Sequence, residues 1–250
     1  MGKLTGKTAL VTGASRGIGR AIALRLAKDG ARLVLHYARS RDAAEALAEE
    51  IAGFGIRPFL VSGDLSDIAN IDAIVSQIED QIGGGEVLDI LVNNAGHLLP
   101  DGPEAGESSF DGLVAVNLRA PFFLIQKLSV RMKSGGRIVN VSSGLSKMAL
   151  PSAMLYGMTK AGLNHLTLSF AKEFGPRGIT VNAVLPGIIR SDMSAWVDSE
   201  EGARIASARS VFARVGEPAD VADIVAFLAS DDARWVTGEC IDASGGQFLV

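Results

Sequence analysis

Cysteine occurs once in these 250 residues, at Cys240. One thiol cannot form an intrachain disulfide or a cysteine-based metal site, so both are excluded. Histidine is almost as scarce. His36, His97 and His165 are dispersed and lack metal-ligand spacing, so no metal centre is predicted. There is no block of basic residues and the formal net charge is −4, which makes nucleic acid or an anionic membrane surface an unexpected partner. No apolar run approaches the ~18 residues of a membrane span. Lys3 and Lys7 flank no long apolar stretch of the kind a secretory signal carries. These absences point to a reducing, cytoplasmic setting. What is present is 48% hydrophobic and 21% charged residues, the balance of a globular chain able to bury a substantial core.

Short β-rich runs alternate with helical patterns along the whole chain. Strands are predicted near Thr8–Thr12, Arg32–Tyr37, Arg57–Ser62, Leu88–Asn93, Arg137–Val141, Thr180–Leu185 and Glu239–Asp242. Most are continuous apolar runs, as expected of parallel strands buried on both faces. Helices are predicted over Gly17–Lys28, Asp42–Ala52, Ile71–Ile82, Phe110–Val130, Tyr156–Phe174 and Pro218–Ala229, with Gly30 as a C-terminal cap and Pro218 in a first turn. No internal repeat or linker interrupts the pattern, and the glycine run Gly83–Gly85 reads as a surface turn. The expectation is an α/β chain of one domain over residues 1–250: a Rossmann-type, doubly wound, seven-stranded parallel sheet with helices on both faces. Residues 190–217 lack sheet character and follow a strand end, where such folds bind ligands. They are expected to form a substrate lid, the alternative being a helical excursion packed on the core.

Thr12-Gly13-Ala14-Ser15-Arg16-Gly17-Ile18-Gly19 joins the first strand to the first helix. Glycines there allow a tight turn and close approach of backbone to a pyrophosphate, and the helix N-terminus offers free N–H groups and a favourable dipole. A dinucleotide site is therefore predicted, with Gly13, Ser15, Arg16, Gly17, Ile18 and Gly19 as its phosphate loop. The second strand ends His36-Tyr37-Ala38-Arg39-Ser40-Arg41, with no carboxylate before Asp42. An acid in this region usually accepts from the ribose 2′-hydroxyl of NAD. Its absence, with Arg16 and Arg39 available to pair with a 2′-phosphate, favours NADP(H) held by Tyr37, Arg39 and Ser40. NAD(H) use stays open, as does the reading of Arg39 and Arg41 as a solvated helix entry.

The joint order and spacing of Thr12–Gly19, Asp64-Leu65, Asn93-Asn94-Ala95-Gly96, Asn117, Ser142-Ser143, Tyr156-Gly157-Met158-Thr159-Lys160 and Pro186-Gly187 resemble the short-chain dehydrogenase/reductase family over nearly the whole chain. The pattern looks most like 3-oxoacyl-carrier-protein reductases and related carbonyl reductases. Tyr156 and Lys160 are one helical turn apart and share a face. An ammonium beside a phenol, whose ordinary pKa is ~10, favours the phenolate, so a lowered tyrosine pKa and general acid/base chemistry are expected. The resemblance selects Ser143 over Ser142 as the hydroxyl that bonds the substrate oxygen. It gives Asn117 the role of holding a water that links Lys160 to a proton relay. It also implies that Asp64 bonds the adenine amino group with Leu65 beside the ring. Asn93, Ala95 and Gly96 would hold the adenosine ribose and the central sheet, and Lys160 the nicotinamide ribose. Pro186, Gly187 and Ile189 would hold the carboxamide, with Ser191 where the family often has threonine.

His97, Met193 and Trp196 are candidate substrate contacts, and Cys240 is expected to be a buried strand residue rather than a nucleophile. The implied activity is NADPH-dependent reduction of a ketone or 3-oxoacyl group. A sugar or secondary-alcohol dehydrogenase and a non-catalytic cofactor-binding sensor or scaffold are the alternatives. A carrier protein meeting Arg131 and Lys133 is one partner reading, a basic helix end favoured by the dipole the other. The resemblance further implies a homotetramer, with the apolar C-terminal tail docked at an interface or frayed.

Overall fold

The computed structural model describes residues 2–82, 88–99 and 101–249; the predicted turn at Gly83–Gly85 lies outside them. Seven strands form one sheet: β1 (Thr8–Val11), β2 (Arg32–Tyr37), β3 (Phe59–Ser62), β4 (Leu88–Asn93), β5 (Met132–Val141), β6 (Thr180–Pro186) and β7 (Cys240–Ala243). Every pairing is parallel and the spatial order is β3-β2-β1-β4-β5-β6-β7. The order reverses between β1 and β4, which opens a crevice at the carboxyl ends of those strands.

The helices are α1 (Gly17–Lys28), α2 (Arg41–Ala52), α3 (Ile68–Ile82), α4 (Glu107–Val114), α5 (Ala120–Ser129), α6 (Met154–Phe174), α7 (Glu200–Ala208) and α8 (Pro218–Ala229). Alternate strand residues divide the core into two layers. Val11, Leu33, Leu35, Val139 and Val141 pack with α1, α2 and α8. Leu10, Val34, Leu91, Ile138 and Val181 pack with α3, α5 and α6 on the other face. The period-two geometry of a strand thus sends every second apolar side chain to each layer, which is why these runs read as continuously apolar.

Three predicted elements differ from their observed forms. β5 starts at Met132, before the predicted Arg137, because a register shift between Leu88 and Ile90 lets Met132 pair with Leu88. The helix predicted over Phe110–Val130 starts at Glu107 and is interrupted by a π-helical turn at Ala115–Arg119, which contains Asn117. Residues 190–217 contain a 3-10 stretch (Asp192–Asp198) and α7. The ends of this excursion meet: Arg190 N–H donates to Gly216 O at 2.8 Å, and Gly216 N–H to Ile188 O at 3.1 Å. Val197, Ala206 and Val215 bury against Ile188 and Ala203 as a small core of their own.

α6 is seated on the sheet by buried polar bonds as well as by packing. Asn93 Nδ2 donates to Asn140 Oδ1 at 2.9 Å, and Asn140 Nδ2 to Thr167 Oγ1 at 2.9 Å. The Thr167 hydroxyl donates to Leu163 O at 2.9 Å. Ser142 Oγ donates to Lys160 O at 3.1 Å. Thr167→Val keeps the shape but strands the Asn140 amide, so we expect a stability loss of about 1–3 kcal/mol in urea unfolding with an unchanged m-value.

Candidate active site

Thr12 closes the start of the crevice. Its Oγ1 accepts from Asn94 N–H at 2.9 Å and Ala95 N–H at 3.0 Å, and Asn94 Nδ2 donates to Thr12 O at 2.9 Å. The turn that follows has no room for side chains. A Cβ on Gly19 would lie 2.2 Å from Gly13 O and 2.4 Å from Asn94 Nδ2, and Gly13 itself holds φ +63°. Arg16 enters α1 without capping it by its side chain, so the first N–H groups face the crevice. A glycine-lined turn ending on an uncapped helix N-terminus fits a pyrophosphate.

One support of this loop escaped the sequence reading. His36 is buried at the end of β2; its Nδ1 accepts from Gly13 N–H at 3.3 Å and its Nε2 donates to Gly63 O at 3.0 Å. Burial pushes its pKa down to about 4, so the ring is neutral and ties the phosphate loop to the end of β3. The visible signal is a histidine closing the apolar run Leu33-Val34-Leu35.

Near the end of β2, Arg39 pairs with Asp64 at 3.2 Å, and Arg16 pairs with Asp192 of the 190–217 segment at 3.3 Å. Both arginines are largely exposed, and exposed pairs contribute only ~0–1 kcal/mol, so a phosphate dianion can draw either away. Hydrogen bonds from Ser66 N–H and its hydroxyl, and then Arg39, hold the Asp64 carboxyl below the usual range. Tyr37 and Ser40 are half-buried beside this cluster in sequence, Leu65 is buried in the core, and Asn93 points its amide at Asn140 inside the sheet.

The four predicted catalytic residues converge. Tyr156 and Lys160 lie on α6, 8% and 3% exposed, with Lys160 Nζ 5.6 Å from the tyrosine ring centre. Nζ donates to Val141 O at 2.9 Å. The Ser143 hydroxyl pulls the Tyr156 phenol pKa down, and its Oγ accepts from Leu145 N–H at 3.1 Å. Asn117 is fully buried; a Cβ on Gly96 would lie 3.3 Å from its Oδ1 and 3.4 Å from Lys160 Nζ, so Gly96 packs closely against both. The Asn117 side chain is engaged by protein: Oδ1 accepts from His97 N–H at 2.8 Å, and Nδ2 donates to His97 O at 2.9 Å and Thr159 Oγ1 at 3.2 Å.

The electrostatics differ from the expectation of a lowered tyrosine pKa. Burial pushes the Tyr156 phenol up to about 12, against a smaller downward pull from Ser143. Burial also takes Lys160 down to about 8. Desolvation outweighs the neighbouring ammonium, so the protein holds this tyrosine protonated.

Pro186 ends β6 and Gly187 packs under the C-terminal segment, where a Cβ would lie 2.9 Å from Ser244 Cα. Ile189 is buried, and the Ser191 hydroxyl lies 3.4 Å from Ile189 O. The apolar tail packs against its own chain, where a Cβ on Gly144 would lie 2.2 Å from the Phe248 ring. Met193 and Trp196 are each 48% exposed on the lid segment. His97 is exposed, and its backbone, not its imidazole, is what binds Asn117. Leu99, Leu145, Leu150 and Leu155 pack around Tyr156, Ala153 and Leu113 as an apolar wall. Cys240 is half-buried in β7, with burial raising its thiol pKa. No metal-ligand cluster occurs among the described residues, and no helix there is long and apolar enough to cross a membrane.

A family model described as enoyl-(acyl carrier protein) reductase matches residues 13–247. The chain is 41% identical to the 3-oxoacyl-[acyl-carrier-protein] reductase FabG of Staphylococcus aureus (strain Mu50), over 97% of this chain and 98% of that protein. Among solved structures, the angucycline C-6 ketoreductase LanV with bound NADP superposes with a TM-score of 0.95 at 48% identity, covering 100% of this chain and 98% of that one. A second LanV structure, with bound NADP and rabelomycin, gives 0.91 at 47% identity, covering 100% and 99%. A short-chain dehydrogenase/reductase from Serratia marcescens gives 0.92 at 37% identity, covering 98% and 99%.

The unfolded chain protonates His36 near 6.5, whereas the folded chain resists until about 4, so stability falls as pH drops through that interval. The full effect is on the order of 3 kcal/mol. His36→Asn cannot take up the proton. Urea unfolding at pH 7 and 4.5 is expected to give a smaller difference for this variant than for the wild type.

Proposed function

Because the chain belongs to the short-chain dehydrogenase/reductase family, we propose that it reduces a ketone on a largely apolar small molecule, with NADPH as cofactor and Tyr156 as proton donor. The observation that carries this reading is a buried, protonated phenol with Ser143 and a buried lysine beside it.

When bound, the cofactor supplies the hydride that reaches the carbonyl carbon. Gly13, Ser15, Gly17, Ile18 and Gly19 would hold its pyrophosphate, Arg16 and Arg39 with Tyr37 and Ser40 its 2′-phosphate, and Asp64 its adenine. Ala95, Gly96 and Lys160 would hold the riboses, and Gly187, Ile189 and Ser191 the carboxamide. NADP-bound LanV supports the preference for NADP(H).

Ser143 Oγ and Tyr156 Oη hold the substrate oxygen in the crevice. As negative charge grows on that oxygen, both hydroxyls bond it more strongly than they bond the neutral carbonyl, which lowers the barrier. Tyr156 then gives up its proton. An alkoxide is a far stronger base than a phenolate, so the transfer runs downhill even from a phenol at about 12. Lys160, charged at neutral pH, steadies the phenolate until it is reprotonated. The Asn117 side chain is occupied by His97 and Thr159, so we assign the relay water to the backbone of the π turn that carries it.

An apolar substrate is favoured by the leucine wall around Tyr156 and by the exposed Met193 and Trp196 on the lid over 190–217. The likeness to LanV, whose structure holds rabelomycin, supports a polycyclic aromatic ketone. A 3-oxoacyl group on a carrier protein is the second reading, supported by the likeness to FabG. Within this chain, however, Arg131 is paired with Glu79 at 2.7 Å, near the amino end of β5. The same proposal takes the protein to be a tetramer. Phe122 on α5, Met158 and Leu168 on α6, and Trp235, which is 96% exposed, support it as outward apolar surface.

Two measurements test this reading. Tyr156→Phe is expected to lower kcat for a polycyclic ketone by about 1,000-fold or more, with NADPH affinity by fluorescence titration within about threefold; turnover at the wild-type rate would refute the assignment. The rate of reduction at saturating substrates should also fall as pH rises through about 8, where Lys160 loses its charge, because Tyr156 stays protonated throughout.

A further inference from the structure

The helix that carries Tyr156 cannot cap itself. Ala153 precedes α6 and has no side chain able to accept from the first turn. Tyr156 is the third residue of that turn, so its N–H is among the donors left without an intrahelical partner. It donates instead to Asp101 Oδ2 at 2.7 Å, across 55 positions of sequence. Asp101 comes from the loop after β4, and its backbone forms a parallel bridge with Ala153. The side chain is 2% exposed and makes no ion pair among the described residues; its Oδ1 has no hydrogen-bond partner there. A buried carboxylate in this state is costly, and one N–H bond with a helix N-terminus offsets only part of the cost. The same loop is fixed at its other end, where the Asn117 side chain takes both backbone groups of His97.

We propose that Asp101 is a positioning residue: by capping α6 from the β4 loop, it fixes the backbone of Tyr156 relative to Asn117 and Lys160. This rests on the reading of Tyr156 as the proton donor. His97 and Asp101 are thereby tied to the two ends of the proton path, one by a side chain and the other by the tyrosine's own amide. Asp101 meets Tyr156 at its backbone and not at its hydroxyl. Its effect is on where the phenol stands, so it belongs in kcat rather than in cofactor affinity.

The test compares Asp101→Asn, which keeps an oxygen acceptor, with Asp101→Ala, which does not. We expect Asp101→Ala to lower kcat by about tenfold or more and leave KM for NADPH within about twofold. Asp101→Asn should stay within about threefold of wild type on both. Hydrogen exchange resolved at the Tyr156 amide should speed up about tenfold or more in Asp101→Ala and stay near wild type in Asp101→Asn, with the rest of α6 unchanged. Wild-type kcat in Asp101→Ala, or equal loss of kcat in both folded variants, would overturn the proposal. If Asp101→Ala does not fold, Asp101→Asn decides alone: retained kcat and amide protection support the cap, and loss of either overturns it. The exchange measurement does not depend on catalysis. Failure of the tyrosine assignment, seen in Tyr156→Phe, is thereby distinguished from failure of the cap.

Discussion

The site is organised around one desolvated ammonium. Lys160 Nζ is 3% exposed as a residue and has the Val141 carbonyl, 2.9 Å away, as its hydrogen-bond acceptor. That bond requires α6 to lie close on the end of β5, which the Asn140–Thr167 and Ser142–Lys160 bonds secure. Gly96 keeps the space beside the ammonium open, where a methyl would come within 3.4 Å of Nζ. The bond also requires water to be kept out, since hydration would return both the lysine and the tyrosine to ordinary values. The dry interior that depresses the lysine is what keeps Tyr156 protonated. Burial therefore sets the direction in which this pair is poised, toward giving a proton.

Much of this was legible in the chain. Continuous apolar runs such as Leu33-Val34-Leu35 imply strands covered on both faces, and the observed layers divide those residues alternately. The glycines of the phosphate loop, the Tyr156–Lys160 spacing and Ser143 are local patterns, so they survive reading in one dimension. What could not be read is what depends on distant partners. Nothing near Asp101 in sequence connects it to Tyr156, and nothing near His36 connects it to both Gly13 and Gly63. The π turn at Asn117 is invisible for a similar reason. Its apolar spacing still looks helical, and only packing reveals the extra residue in the turn.

The tyrosine's pKa is the instructive divergence. Spacing alone puts an ammonium near a phenol and suggests a lowered value. Depth decides otherwise, because desolvation grows with burial while the attraction depends on a separation that helix spacing does not fix. Asp64 is the contrasting case: a carboxylate close to the surface, whose value is set by the donors of Ser66 and Arg39 rather than by burial. Polar bonds govern one end of the crevice and dryness the other.

The excursion over 190–215 leaves and rejoins the sheet at one place, with Gly216 bonded to both Arg190 and Ile188, and Val197, Ala206 and Val215 forming a separate small core. Its interior can therefore vary in sequence with little effect on the strands, while Asp192, Ser210 and Val211 tie it to Arg16 and Gly245. Seen this way, the segment is a bracket hung from the sheet at a few fixed points, and its tolerance of change lies between them.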